Sequence, residues 1–261
     1  MNRQYIDMTG REVNIPFPPR RIISLVPSQT ELLFDLGLDE EVVGITKFCV
    51  HPEEWFRNKK RVGGTKTVHL DIVRDLQPDL IIANKEENTR EQVEELALQF
   101  PVWVSDITTI DHGLDMIRKI GIITGREENA DQLAKEIQEG FKDISSIAKP
   151  LKVAYYIWKD PWMTVGGDTF ISDVITRIGW KNVVAEKNRY PEVAPSELTG
   201  TGVALILLSS EPYPFKEKHI AEIQSLHPDA QIMLVDGEMF SWYGSRMKEA
   251  IPYLRELIST L

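Results

Sequence analysis

Residues 21–37, RIISLVPSQTELLFDLG, carry an apolar strand through a Pro-Ser turn straight into an amphipathic helix. That order opens a βαβ unit, and its turn falls at the carboxyl end of the strand, where open α/β sheets place ligands. A related unit returns at residues 152–179, KVAYYIWKDPWMTVGGDTFISDVITRIG, which again leads from an apolar strand through a polar and aromatic loop into a helix ending at Gly179. Two similar halves predict two Rossmann-like lobes with mostly parallel sheets and a cleft between them.

Working outward, residues 5–15 read as a hairpin turning at Thr9-Gly10, and Pro16, Pro18 and Pro19 end that ribbon. Strands are predicted at 22–26, 42–45, 80–83 and 102–104, and helices at 30–36, within LDIVRDLQPDLIIA ahead of the third strand, and over 89–100. The stretch 110–147 has hardly any strand signal. There Asp111 caps a first helix, and Ala130, Leu133, Ala134, Ile137, Phe141 and Ile144 line one face of a long second one, with Gly140 inside it allowing close approach to a neighbour. The second half is predicted to hold strands at 153–157, 204–208 and 231–235 and helices at 169–178, 218–226 and 247–261. The expected organisation is an α/β lobe over 1–122, a connecting helix over 123–149 and an α/β lobe over 150–261, with one stiff helical connector implying little hinge motion.

Composition narrows the function. With 30 basic against 40 acidic residues, the chain offers no positive field for nucleic acid or an anionic membrane surface. The single cysteine, Cys49, excludes an internal disulfide and a multi-thiolate zinc site. The N-terminal stretch lacks the apolar run of a secretory leader, so the chain as it stands is expected in the cytoplasm, or in the periplasm or anchored to a membrane if a leader has been removed. A monomer is expected.

Several loops carry groups suited to binding. Residues 84–88, NKEEN, offer Lys85 and Asn88 as donors to anionic oxygens and Glu86 or Glu87 as acceptors or metal ligands, against the alternative of a solvated helix start. Cys49 and His51 share one side of an extended segment and are candidate ligands for a soft metal; the competing reading is a small buried hydrophobe beside a polar filler. Aromatic residues gather in loops of the second half: Trp158, Trp162, Tyr190, Tyr213, Phe215, Trp242 and Tyr243, with Trp180 assigned to the core instead. Together with Arg189, Arg246, Lys66 and Lys85, they suit a planar ligand bearing carboxylates or catecholates. The pairs Gly63-Gly64 and Gly166-Gly167 fall short of nucleotide-binding spacing, and no GxSxG or HExxH motif is present. An enzyme is therefore not expected, and no covalently bound cofactor.

The stretches TGREVNIPFPPRRIISLVPSQTELLFDLGL, VGITKFCVHP and RVGGTKTVHLDIVRDLQPDLIIA, taken in order with the mid-chain helix, resemble the helical-backbone substrate-binding proteins of ABC importers. The resemblance covers essentially the whole length. It implies a non-enzymatic receptor holding a metal chelate, such as cobalamin, siderophore-bound iron or haem, in an interlobe cleft, and docking on importer membrane subunits through one acid per lobe. Those acids fall on Asp71 and on Glu197, with Glu192 as the alternative for the second. Phe48 and Tyr190 fall where cobalamin receptors place aromatics, whereas Thr65 and Asn84 stand where such receptors have Trp. The expected ligand-binding set is Phe48, Lys66, Asn84, Lys85, Glu86, Asn88, Trp158, Trp162, Arg189, Tyr190, Trp242, Tyr243 and Arg246. Two alternatives remain: a cytosolic carrier or sensor of the same fold, and an enzyme using Cys49, His51 and the NKEEN loop.

Overall fold

The computed structural model describes residues 1–145 and 149–261; the end of the predicted connecting helix, at 146–148, lies outside the described residues. An antiparallel hairpin opens the chain, with β1 (Asn2–Ile6) paired to β2 (Glu12–Pro16). Asp7 anchors its turn by accepting the backbone N–H groups of Thr9 and Arg11, both at 2.9 Å, and the Arg11 guanidinium at 2.8 Å.

The first sheet is built from β3 (Ile22–Ser24), α1 (Pro27–Asp35), β4 (Val42–Ile45), α2 (Glu53–Asn58), β5 (Lys60–Arg61), α3 (Leu70–Leu76), β6 (Leu80–Asn84), α4 (Arg90–Ala97) and β7 (Val102–Ser105). Its order is β5-β4-β3-β6-β7, with every neighbouring pair parallel. Strands β3, β6 and β7 are buried throughout because helices cover both faces of a parallel sheet, and this is why they read as unbroken apolar runs. α1 starts three residues before the sequence reading, since Pro27 takes the first helical turn, where its missing N–H costs nothing.

Two helices follow, α5 (Ile110–Thr124) and α6 (Glu127–Ser145), the latter 19 residues long as described. The second sheet comprises β8 (Lys152–Trp158), β9 (Met163–Thr164), α7 (Phe170–Arg177), β10 (Lys181–Asn182), β11 (Leu205–Ser209), α8 (Glu217–Gln224) and β12 (Gln231–Val235), and α9 (Glu238–Ser241) and α10 (Arg246–Ser259) close the chain. Strands run β10-β8-β11-β12 in parallel, with β9 antiparallel on β8. Gly140 does permit the expected close approach: a Cβ there would lie 2.3 Å from Ile251 Cδ1 of α10.

The residues fall into two compact units, one of Met1–Ile107, Asp111–Glu136 and Tyr243–Arg246, the other of Thr108–Ile110, Ile137–Trp242 and Met247–Leu261. Each has its own core. In the first, Ile23, Leu25, Val73, Ile81, Val93 and Val104 pack together; in the second, Ala154, Tyr156, Ile206, Leu208, Phe215 and Ile223 do so. Each sheet also has one place where strand order reverses, between β3 and β6 in the first unit and between β8 and β11 in the second. Ligands of open α/β sheets bind outside the carboxyl ends of the strands at such reversals.

Candidate functional site

In the first unit, β6 ends at Asn84, and its side chain turns back into the protein. Asn84 Nδ2 donates to Ser105 Oγ at 3.0 Å, and its Oδ1 accepts the N–H groups of Glu86 at 2.8 Å and Glu87 at 3.1 Å. Asn88 Oδ1 accepts the Asn84 N–H at 2.9 Å, while its Nδ2 donates to the Thr65 carbonyl at 2.9 Å. The two asparagines thus form the scaffold of the NKEEN loop, which neither alternative read from the sequence described. Lys85 pairs with Asp106 at 2.5 Å, and Lys66 donates to the Glu86 carbonyl. Both ammonium groups meet oxygens of a neighbouring loop. Burial raises the pKa of Glu87, opposed by the Lys66 charge.

Asn84, Lys85 and Asn88 line a recess of about 310 Å³ together with Arg90, Val93 and Glu94. On the neighbouring loop, after β4, Phe48 is 50% exposed, with the Lys47 ammonium 5.0 Å from its ring centre. Gly64 lets that ring lie against backbone, because a Cβ would come within 3.2 Å of Phe48 Cε2. Cys49 is fully enclosed, its sulfur 3.1 Å from both Thr30 Oγ1 and Thr46 Oγ1, and burial pushes its thiol pKa up. Cys49 is thus packed as a small enclosed side chain, as the second of its two sequence readings has it. No group of three or more metal-donor side chains is gathered among the described residues.

Arg246 departs most from the sequence expectation. It clamps Glu31 of α1 within the first unit, Nε to Oε2 at 2.9 Å and Nη2 to Oε1 at 2.6 Å, so its charge is met by the protein. Beside it Tyr243 is buried, and Gly244 sits at φ 101°, close to the Ser28 carbonyl. A positive φ of this kind is open to glycine at no steric cost.

In the second unit the loop aromatics form a connected set. Trp162 stacks on Phe215 at 5.7 Å between centroids and meets Tyr156 edge-on at 5.2 Å, and Tyr213 meets Phe215 at 4.8 Å. His219 lies beneath, with its Nδ1 accepting the Lys216 N–H at 2.9 Å. Trp162, Tyr213 and Phe215 therefore extend the core, because the loops that carry them fold over the sheet edge instead of standing away from it. Trp158 is different: it ends β8, stays 39% exposed and rests edge-on against Tyr213 at 5.7 Å. Arg189, at φ 58°, places its guanidinium 5.5 Å from the Tyr190 ring. The glycine pair 166–167 has a packing reason, since a Cβ at Gly167 would sit 2.2 Å from the Ala185 carbonyl oxygen.

At the strand-order reversal of this sheet stands Glu211, a residue the sequence reading passed over. Its Oε1 accepts from Ser241 Oγ at 2.9 Å and from Trp242 Nε1 at 3.1 Å. Burial raises its pKa, and Glu238 and Asp236 push the same way. The signal that would have found it is position alone: an acid two residues past the apolar run of β11. The two proposed docking acids are both exposed. Asp71 occupies the first turn of α3, and Glu197 lies in a 3₁₀ turn, Pro195–Leu198, where it accepts the Ala194 N–H at 2.6 Å.

Two α/β units, each with a parallel sheet whose strand-order reversal meets aromatic and polar loops, and a long helix are the architecture observed. The chain belongs to the periplasmic binding protein family, whose profile matches residues 22–230, and within it to the helical-backbone substrate-binding proteins of ABC importers. It is 30% identical over 199 residues to an uncharacterised ABC transporter substrate-binding lipoprotein, YvrC, of Bacillus subtilis, a match covering 72% of this chain and 62% of that protein. The chain thus spans less than two thirds of that curated relative. Among solved structures, the periplasmic vitamin B12 binding protein BtuF of Vibrio cholerae superposes with a TM-score of 0.79 at 22% identity, covering 94% of this chain and 98% of that one. The periplasmic heme-binding protein RhuT of Roseiflexus, in its apo form, gives a TM-score of 0.79 at 19% identity over 92% and 98% of the two chains. At these identities the structures speak for the fold. These relatives are periplasmic proteins or lipoproteins and lend no support to the cytoplasmic expectation. No helix among the described residues is long and apolar enough to cross a membrane.

Proposed function

We propose that the chain is a non-enzymatic substrate-binding protein of the cell envelope that captures a metal chelate of the corrinoid, haem or siderophore-iron class and delivers it to an ABC importer. The observation that carries this reading is the placement of exposed rings at the carboxyl edges of the two sheets: Phe48 after β4 and Trp158 at the end of β8. A planar guest covering either ring would gain about 25 cal/mol per Å² of apolar surface removed from water. Asp71 and Glu197 supply the importer contacts in this reading, both being exposed carboxylates at the start of short helical segments.

Isothermal titration calorimetry against cyanocobalamin, cobinamide, haemin and a ferric catecholate tests the proposal. One ligand of the set should bind at micromolar concentration or better. Absence of heat and of any retained ligand in a native mass spectrum would reject it.

A further inference from the structure

Three of the cations expected to face an anionic guest are engaged within the protein, two of them by carboxylates. Arg246 is held by Glu31, Lys85 by Asp106, and Lys66 by the Glu86 carbonyl. Glu211 shows the reverse situation. Both hydrogen bonds it accepts fall on Oε1, from Ser241 and Trp242, and no Lys, Arg or His lies within ion-pair distance of it among the described residues. Its Oε2 accepts no hydrogen bond from the described residues, yet it is not sealed in the interior.

The position of the group is fixed by its surroundings. Ser209 Oγ accepts the Glu211 N–H at 3.3 Å and donates to the Glu211 carbonyl at 2.5 Å, and Tyr155 donates to the same Oγ at 3.1 Å. Gly237 leaves room for the carboxylate stem, because a Cβ there would lie 2.5 Å from Glu211 Cγ and 2.4 Å from Ser209 Oγ. A carboxylate with one oxygen oriented by two donors and the other left open keeps a fixed acceptor available to a donor from outside the chain.

Resting on the carrier reading above, we infer that Glu211 is a specificity-determining residue: its Oε2 accepts a hydrogen bond from an N–H or cationic group of the ligand. The guest class is then a chelate with amide or amine donors at its rim. Ligands whose rims carry carboxylates, and bare oxyanions, meet an uncompensated negative charge at the same place. A site that hydrogen-bonds a donor rejects analogues lacking it, because its own polar group is left unpaired.

The test is calorimetric titration of the wild type and of Glu211→Gln with cyanocobalamin and cobinamide, whose rims carry amides, and with haemin and molybdate, which present carboxylates or oxyanion oxygens. Gln keeps an oxygen acceptor for Ser241 and Trp242, so E211Q should fold, and a single cooperative melt no lower than that of the wild type verifies this. Glu211→Asp is the second variant, retaining the charge on a shorter stem. The expected result is that the wild type prefers an amide-bearing ligand, that E211Q and E211D each weaken it about tenfold or more, and that E211Q narrows the gap to haemin. Wild-type preference for haemin or molybdate, or an amide-ligand affinity within twofold in both variants, overturns the inference while leaving the carrier reading standing. No binding to any of the four compounds, or to a ferric catecholate, overturns both.

Discussion

Arg246 and Glu31 form a bidentate ion pair with side chains only 12% and 15% exposed, joining residues 215 positions apart in sequence. Burial raises the Glu31 pKa and the Asp35 charge pushes the same way, while the Arg246 guanidinium opposes that shift. The pair holds the Tyr243–Arg246 segment within the first unit.

Arg246→Ala should therefore cost stability in the absence of any ligand. Removing one partner of a buried pair typically costs about 3–5 kcal/mol, and about 2–4 kcal/mol is expected here because the pair is not fully enclosed. Urea denaturation measures it. The double change R246M/E31L should recover most of the loss, and an unchanged midpoint in R246A would refute the structural role.

Trp158 and Trp162 should separate cleanly. Trp162→Ala removes a ring stacked on Phe215 and touching Tyr156, so it should lower stability by about 2–4 kcal/mol. Trp158→Ala removes a partly exposed ring with one edge contact; it should leave the melting temperature within a few degrees while weakening ligand binding about tenfold or more. Equal effects of the two substitutions on melting would count against this division.

Cys49 should resist alkylation. With the thiol enclosed and its pKa raised, iodoacetamide should label the native chain slowly at neutral pH and rapidly in denaturant, because the thiolate is the reacting species. Cys49→Ser should leave ligand binding unchanged. Fast labelling of folded protein would restore the reactive-thiol alternative.

Glu211 also predicts a pH dependence. A carboxyl whose folded pKa lies above its unfolded value binds protons more readily when folded, so its stabilisation is full below about pH 4.3 and is lost as pH rises through the folded pKa. The stability of Glu211→Gln relative to wild type should accordingly rise as pH climbs from about 4.3 through the folded pKa. Urea midpoints across that range check it, and a constant difference would show that burial leaves Glu211 unperturbed.

The fold was largely legible because parallel strands covered on both faces must be apolar without interruption: the runs at 80–83 and 205–208 announce themselves. The short edge strands β5, β9 and β10 were not, since two residues such as Lys60–Arg61 or Lys181–Asn182 carry no period at all. Helix α2 was not predicted, although Pro52 followed by Glu53 and Glu54 is a helix-start signal. The candidate site was less legible than the fold. Residue type told which side chains had suitable chemistry, but whether Arg246 or Lys85 faces a guest depends on partners distant in sequence, Glu31 and Asp106. Asn84 and Asn88 illustrate the same point: amides that look like ligand donors are engaged in shaping their own loop.

The unequal burial of the tryptophans gives the protein an intrinsic optical gauge. Trp55, Trp103 and Trp180 lie sealed at 1%, 0% and 3% exposure, whereas Trp158 meets solvent. Emission from the sealed indoles is confined to shorter wavelengths, leaving Trp158 as a principal contributor at the red edge. A coloured guest arriving at the end of β8 would darken that edge first, so the shape of the emission band, and not only its height, reports where the guest sits.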